Sequence, residues 1–138
     1  MFLLDTNVVS ELRLLERANP SVADWSRSHK GDGFFLSVAT IQEVQYGILR
    51  LRRRDKPQGD MLGRWLAEHI LPDFAGRILP LTVEIALACA ALRVPNRRGE
   101  RDAWIAATAL VHDMTVVTRN TRDFAGTGVK LLDPWAQP

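Results

Sequence analysis

With 138 residues, 46% of them hydrophobic and 25% charged, the chain has room for one domain with a real core, and a single domain over 1–138 is expected. No apolar run approaches the roughly 18 residues that cross a bilayer, and Met1 to Val9 is too short and already acidic for a signal peptide, so a cytoplasmic protein is expected. The 18 basic and 16 acidic residues leave a net charge of +2, and the single cysteine, Cys89, excludes an internal disulfide.

In chain order, short apolar runs rich in β-branched or aromatic residues alternate with helical patterns. The runs are FLLD (Phe2 to Asp5), FFLSV (Phe34 to Val38), RILPL (Arg77 to Leu81), TVVT (Thr115 to Thr118) and VKLLD (Val129 to Asp133). The clearest helices are predicted over Thr40 to Arg54, Gly59 to Phe74, Val83 to Val94 and Arg101 to His112. This alternation points to an α/β fold with a parallel sheet. Pro80 cannot donate to a ladder, which puts the third run at an edge or a strand end. DAWIAATALV is apolar on nearly every face and should lie against the sheet. Cys89, within IALACAAL, reads as a small buried thiol.

The arginines are not evenly spread. They gather in LRLRRRDK (Leu49 to Lys56) and RVPNRRGER (Arg93 to Arg101), with Arg119 and Arg122 further on. Such groups are commonly solvated helix ends and loops. Beside a site they attract nucleic acid, which makes Arg52, Arg53, Arg97 and Arg101 candidate phosphate contacts.

In an open parallel sheet, ligands bind in the crevice at the carboxyl ends of the strands. Asp5 closes the first run, Glu43 lies early in the helix after the second, and Asp102 starts the helix before the fourth. Thr118, Asn120 and Asp123 follow in VVTRNTRDF. Carboxylates converging there without lysine partners would repel one another, and an oxygen-only donor set selects a hard cation, Mg²⁺ or Mn²⁺. Ordinary roles compete with this one. Thr40-Ile-Gln-Glu43 matches a capping box. Asp102 suits a helix N-terminus, and Asn120 to Asp123 suits a capped turn. Asp5 resists such a reading, because an acid closing a buried strand pays desolvation with no helix terminus established to satisfy it. His29, His69 and His112 have no partner at zinc-ligand spacing, and neither a serine elbow nor a phosphate loop is present. Trp104, two residues after Asp102, can border the site.

The strings LLDTNVVSE, SVATIQEVQYGI, RDAWIAATALVHDMTVVTRNTRDF and KLLDPW, in this order over nearly the whole chain, resemble the PIN domains of the VapC toxin family, in its FitB-like branch. The resemblance implies a three-layer α/β/α fold around a central parallel sheet of four to five strands. It also implies a metal-dependent endoribonuclease using Mg²⁺ or Mn²⁺, the toxin of a type II toxin–antitoxin pair. Its partners would be RNA, a cognate antitoxin protein and a second copy in a homodimer. By position, metal binding falls on Asp5, Glu43 and Asp102, with Thr6 and Asn7 shaping the first turn.

Two departures stand out. The family's fourth acidic position falls on Asn120, whose amide is a weak ligand, and Asp123 three residues on is the acid that can replace it. Glu100 and Arg101 stand where the resemblance leads one to expect small residues. Arg101 then either touches RNA or pairs with Glu100. Two rival functions remain. One is a catalytically weak binding module acting through a protein partner, with Val44, Ile48 and Leu49 in a groove or dimer face. The other is an aspartyl phosphatase, disfavoured because Asn7 stands where its second acid is needed.

Overall fold

The computed structural model describes residues 1–136. The first half holds β1 (Phe2–Leu4), α1 (Thr6–Glu11), α2 (Pro20–Arg27), β2 (Phe34–Ser37), α3 (Val38–Arg52), α4 (Lys56–Trp65) and α5 (Leu71–Asp73). The second half holds β3 (Ile78–Leu79), α6 (Val83–Leu92), α7 (Glu100–His112), β4 (Thr115–Val117) and β5 (Lys130–Leu132). All five predicted runs are strands of one parallel sheet, in the order β3-β2-β1-β4-β5. β3 is an edge strand that ends just before Pro80.

The chain builds outward from β1 through β2 to β3, then returns to lay β4 on the other flank of β1. The carboxyl ends of β1 and β4 therefore form the topological switch point. Alternation along the strands divides the core in two. Leu4, Phe34, Leu36 and Val117 meet Val8, Val9, Trp25, Val44, Ile48, Leu66 and Ile70 on one face. Leu3 and Val116 meet Ile105, Ala106, Ala109 and Phe124 on the other. The small side chains Ala103 and Ala107 let α6 pack behind α7 through Ile85 and the buried Cys89. These are the three layers of an α/β/α fold. Among the described residues, no helix is long and apolar enough to cross a membrane.

Helix ends differ from the sequence reading where a polar side chain decides them. α3 begins at Val38, because Ser37 caps it by accepting from the Ala39 amide at 3.0 Å. Thr40 is thus inside the first turn and buried, and the expected capping box with Glu43 does not form. α4 begins at Lys56, three residues early, because Asp55 accepts from the Gln58 amide at 3.2 Å and Pro57 suits a first turn. The predicted helix through Phe74 is not uniform: a widened turn over Leu66–Ile70 separates α4 from α5. Val44 and Ile48 lie in the core instead of a docking face, and only Leu49 of that trio is exposed.

These layers predict unequal costs for aliphatic truncation. Ile105→Ala, at a fully buried position on α7, should cost about 2–5 kcal/mol in urea unfolding, whereas Leu87→Ala on the exposed side of α6 should stay within about 0.5 kcal/mol.

Candidate active site

Asp5 follows β1 and is 1% exposed. Contrary to the sequence reading, a helix terminus does satisfy it: Asp5 is the N-cap of α1 and accepts from the Thr6 amide at 2.8 Å. Its other oxygen accepts from the Thr118 hydroxyl at 2.9 Å and from Asn7 Nδ2 at 3.4 Å. Thr118 follows β4 and also accepts from Asn7 Nδ2 at 3.3 Å and from the Asn120 amide at 3.0 Å. Asn7 Oδ1 in turn accepts from the Arg119 amide at 3.2 Å. Asn7 and Thr118 thereby join the carboxyl ends of β1 and β4 around Asp5.

Glu43, freed from helix capping, projects from α3 to the same place and accepts from the Thr6 hydroxyl at 3.1 Å. Asp102 arrives from the first turn of α7, two residues inside its start. The loop before it is clamped by Arg98, which donates to the carbonyls of Leu92 at 2.9 Å and Ala125 at 2.8 Å. Asp5, Glu43 and Asp102 thus come together at one place.

The cation between them was not foreseen. Arg101 spends each guanidinium nitrogen on a different acid: Nη1 on Asp5 at 2.9 Å, Nε on Glu43 at 2.6 Å and Nη2 on Asp102 at 3.0 Å. The expected pair with Glu100 is absent among the described contacts, and Glu100 instead accepts from Trp104 Nε1 at 3.4 Å. The acids were read as lacking lysine partners, and the basic group among them is an arginine. No three Asp, Glu, His or Cys side chains among the described residues are disposed to enclose an ion.

Burial and charge act unevenly on the groups of this cluster. Burial pushes the Asp102 carboxyl above its ordinary value; Arg101 opposes this, while the charges of Asp123, Asp5 and Glu43 add to it. Burial works against the charge on Arg101, yet its three acids outweigh that and hold its proton more firmly than usual. Asp102 Oδ1 is buried with no hydrogen bond, despite the nearby guanidinium. An all-oxygen, over-negative cluster with an unsatisfied carboxylate oxygen fits a hard divalent cation. Asn120 is exposed and meets Thr118 through its backbone, whereas the charge of Asp123 is felt at Asp102.

Two grooves flank the cluster. One, of about 770 Å³, is lined by Thr6, Arg13, Glu43, Tyr46, Arg50 and Arg101. The other, of about 610 Å³, runs past Gln42, Leu81, Arg101 and Trp104. Arg52 is turned away and paired with Asp60 at 2.7 Å, while Arg53 and Arg97 are exposed and line neither groove. Sequence reasoning passed over Arg13 and Arg50. Helical spacing contained the signal for Arg50, since Glu43, Tyr46, Gly47 and Arg50 fall on one face of α3.

A parallel sheet with acids gathered at its switch point defines the class, and residues 2–130 match the PIN domain family, to which the chain belongs. It is 38% identical to toxin FitB of Neisseria gonorrhoeae over 98% of this chain and 99% of that protein. It is 32% identical to VapC ribonuclease Y4jK of Sinorhizobium fredii over 98% of each. The crystal structure of FitAcB from Neisseria gonorrhoeae superposes with a TM-score of 0.88 at 36% identity, covering 99% of this chain and 100% of that one.

The raised pKa of Asp102 has a definite sign in stability. The folded state holds this proton more tightly than the unfolded chain, so the contribution is greatest below about pH 3.8 and is lost as pH rises through the folded value. In chelator, Asp102→Asn should therefore gain on the parent in melting temperature between about pH 4 and pH 7, and a difference flat across that range would contradict the assignment.

Proposed function

We propose that the chain is a metal-dependent endoribonuclease, acting as the toxin of a toxin–antitoxin pair in the cytoplasm. The observation that carries this reading is the convergence of Asp5, Glu43 and Asp102 on the Arg101 guanidinium at the switch point. Membership of the PIN domain family and the likeness to a protein named VapC ribonuclease support it. The name of toxin FitB supports the toxin role; a cognate antitoxin partner and a homodimer belong to the same proposal.

Asp5, Glu43 and Asp102 would hold Mg²⁺ or Mn²⁺, with Asp123 the acid placed to add a fourth charge and Asn120 a neutral support. Bound there, a divalent cation supplies Lewis-acid polarisation of the phosphodiester and a coordinated water of lowered pKa. The chain's own groups do the positioning. Thr118 and Asn7 fix the rotamer of Asp5, and Thr6 orients Glu43. Arg13 and Arg50 line the larger groove beside the acids, with Arg50 lying over the Tyr46 ring at 5.7 Å, and they are assigned to backbone phosphates. Arg52, Arg53 and Arg97 are left to longer-range attraction. A catalytically weak module that works by binding its partner is the second reading, favoured by the missing charge at Asn120.

Purified protein should cleave RNA in Mg²⁺ and stop in chelator. Asp5→Asn keeps the shape and removes the charge, and should abolish cleavage; full activity in that variant would sink the reading. A second measurement addresses the groove. Arg50→Ala should weaken RNA binding across sequences and lower the slope of log affinity against log salt by roughly 0.7, the share of one phosphate contact to a single strand.

A further inference from the structure

We propose that Arg101 is a tethered counter-ion that closes the acidic cluster, so that a divalent cation gains its seat only when this side chain swings out. The inference rests on the metal-dependent reading above and adds a competitor built into the chain.

Four observations carry it. All three nitrogens of the fork are engaged, each with an acid from a different element: the end of β1, α3 and α7. Such an arrangement is a seat for positive charge and not a surface ion pair. Second, one guanidinium against Asp5, Glu43 and Asp102 leaves two negative charges uncompensated, before Asp123 is considered. A dication closes that deficit, and Arg101 cannot. Third, the match to Asp102 is incomplete, since its Oδ1 has the ionic contact at 3.0 Å but no aligned hydrogen bond. Fourth, Arg101 has room to leave. Its side chain is 34% exposed and lines both flanking grooves, so it can rotate outward without disturbing the core.

Closed and open positions of Arg101 make the apparent metal affinity the intrinsic affinity multiplied by the fraction of molecules in the open state. Removing the competitor should raise that fraction to one. The residue is therefore set against loading of the site, although it stabilises the metal-free fold.

The test is Mn²⁺ binding to the purified full chain, read from the loss of the free-ion signal in electron paramagnetic resonance. Arg101→Gln, which keeps length and polarity without charge, should bind Mn²⁺ tighter than the parent by about tenfold or more. Arg101→Lys, whose compact ammonium cannot reach all three acids at once, should fall between them and serves if the glutamine variant fails to fold. In chelator both variants should unfold at lower urea than the parent, and Mn²⁺ should restore more stability to them than to the parent. Mn²⁺ affinity unchanged or weaker in both variants overturns the proposal. RNA cleavage measured alongside separates the two failures. If the parent cleaves with metal and Asp5→Asn does not, unchanged affinity removes the counter-ion role alone. If neither parent nor variants bind Mn²⁺, the metal-dependent reading falls with it.

Discussion

A carboxylate buried at the end of the central strand has to be compensated on every side, because an ionised group withdrawn from water costs several kcal/mol unless hydrogen bonds and charge replace the solvent. Asp5 draws that compensation from the Thr6 amide at the start of α1, Asn7 one residue on, Thr118 after β4 and Arg101 in α7. Those groups come from segments more than a hundred residues apart in sequence. They can meet only because the chain, having reached the sheet edge at β3, returns to place β4 beside β1. The topology of the sheet and the solvation of Asp5 are thus one constraint. The Asn7 and Thr118 contacts that satisfy the acid also tie the two strand ends together.

Around this fixed point the remaining charges are less well settled, and the imbalance has a chemical use. Glu43 and Asp102 bring further negative charge to a seat that holds one guanidinium. Asp102 is consequently harder to ionise than an exposed aspartate, through burial first and its acidic neighbours after it. A fold optimised for stability alone would neutralise such a cluster or replace it with apolar groups. Keeping it leaves an electrostatic demand that, on the proposed function, a small, highly charged cation would meet better than a planar monocation. The larger of the two flanking grooves carries the complementary sign at Arg13 and Arg50, where, on the proposed function, a polyanion passing the acids would be held.

The layered α/β architecture was legible because strand runs and helix patterns differ in period, and buried parallel strands read as short β-branched or aromatic stretches. Pro80 correctly assigned β3 to the edge through a missing donor. Errors arose where two local signals competed. The sequence pattern put the cap of α3 at Thr40, whereas the backbone of the β2 end, extended at Ser37, makes Ser37 the cap. That choice released Glu43 from a local role. Arginines presented a similar ambiguity. Clustering along the chain pointed to Arg52, Arg53, Arg97 and Arg101 alike, whereas the helical face shared with Glu43 brings Arg50 to the groove beside the acids and leaves Arg52 to Asp60.

What the sequence determined by itself was the five strands, the four longer helical regions and where acids stand along them, but not the short helices α1 and α2, since apolar period and the placement of polar residues are local properties. It carried LLDTN, the lone Glu43 and the arginine before Asp102 in plain view. The partners of those groups were decided by tertiary structure. Arg101 lies 96 residues from Asp5 and directly beside Glu100, so nearness along the chain suggested the wrong acid. Electrostatic partnership depends on distance in space and on burial, and neither exists until the sheet has assembled and α7 has docked across its switch point.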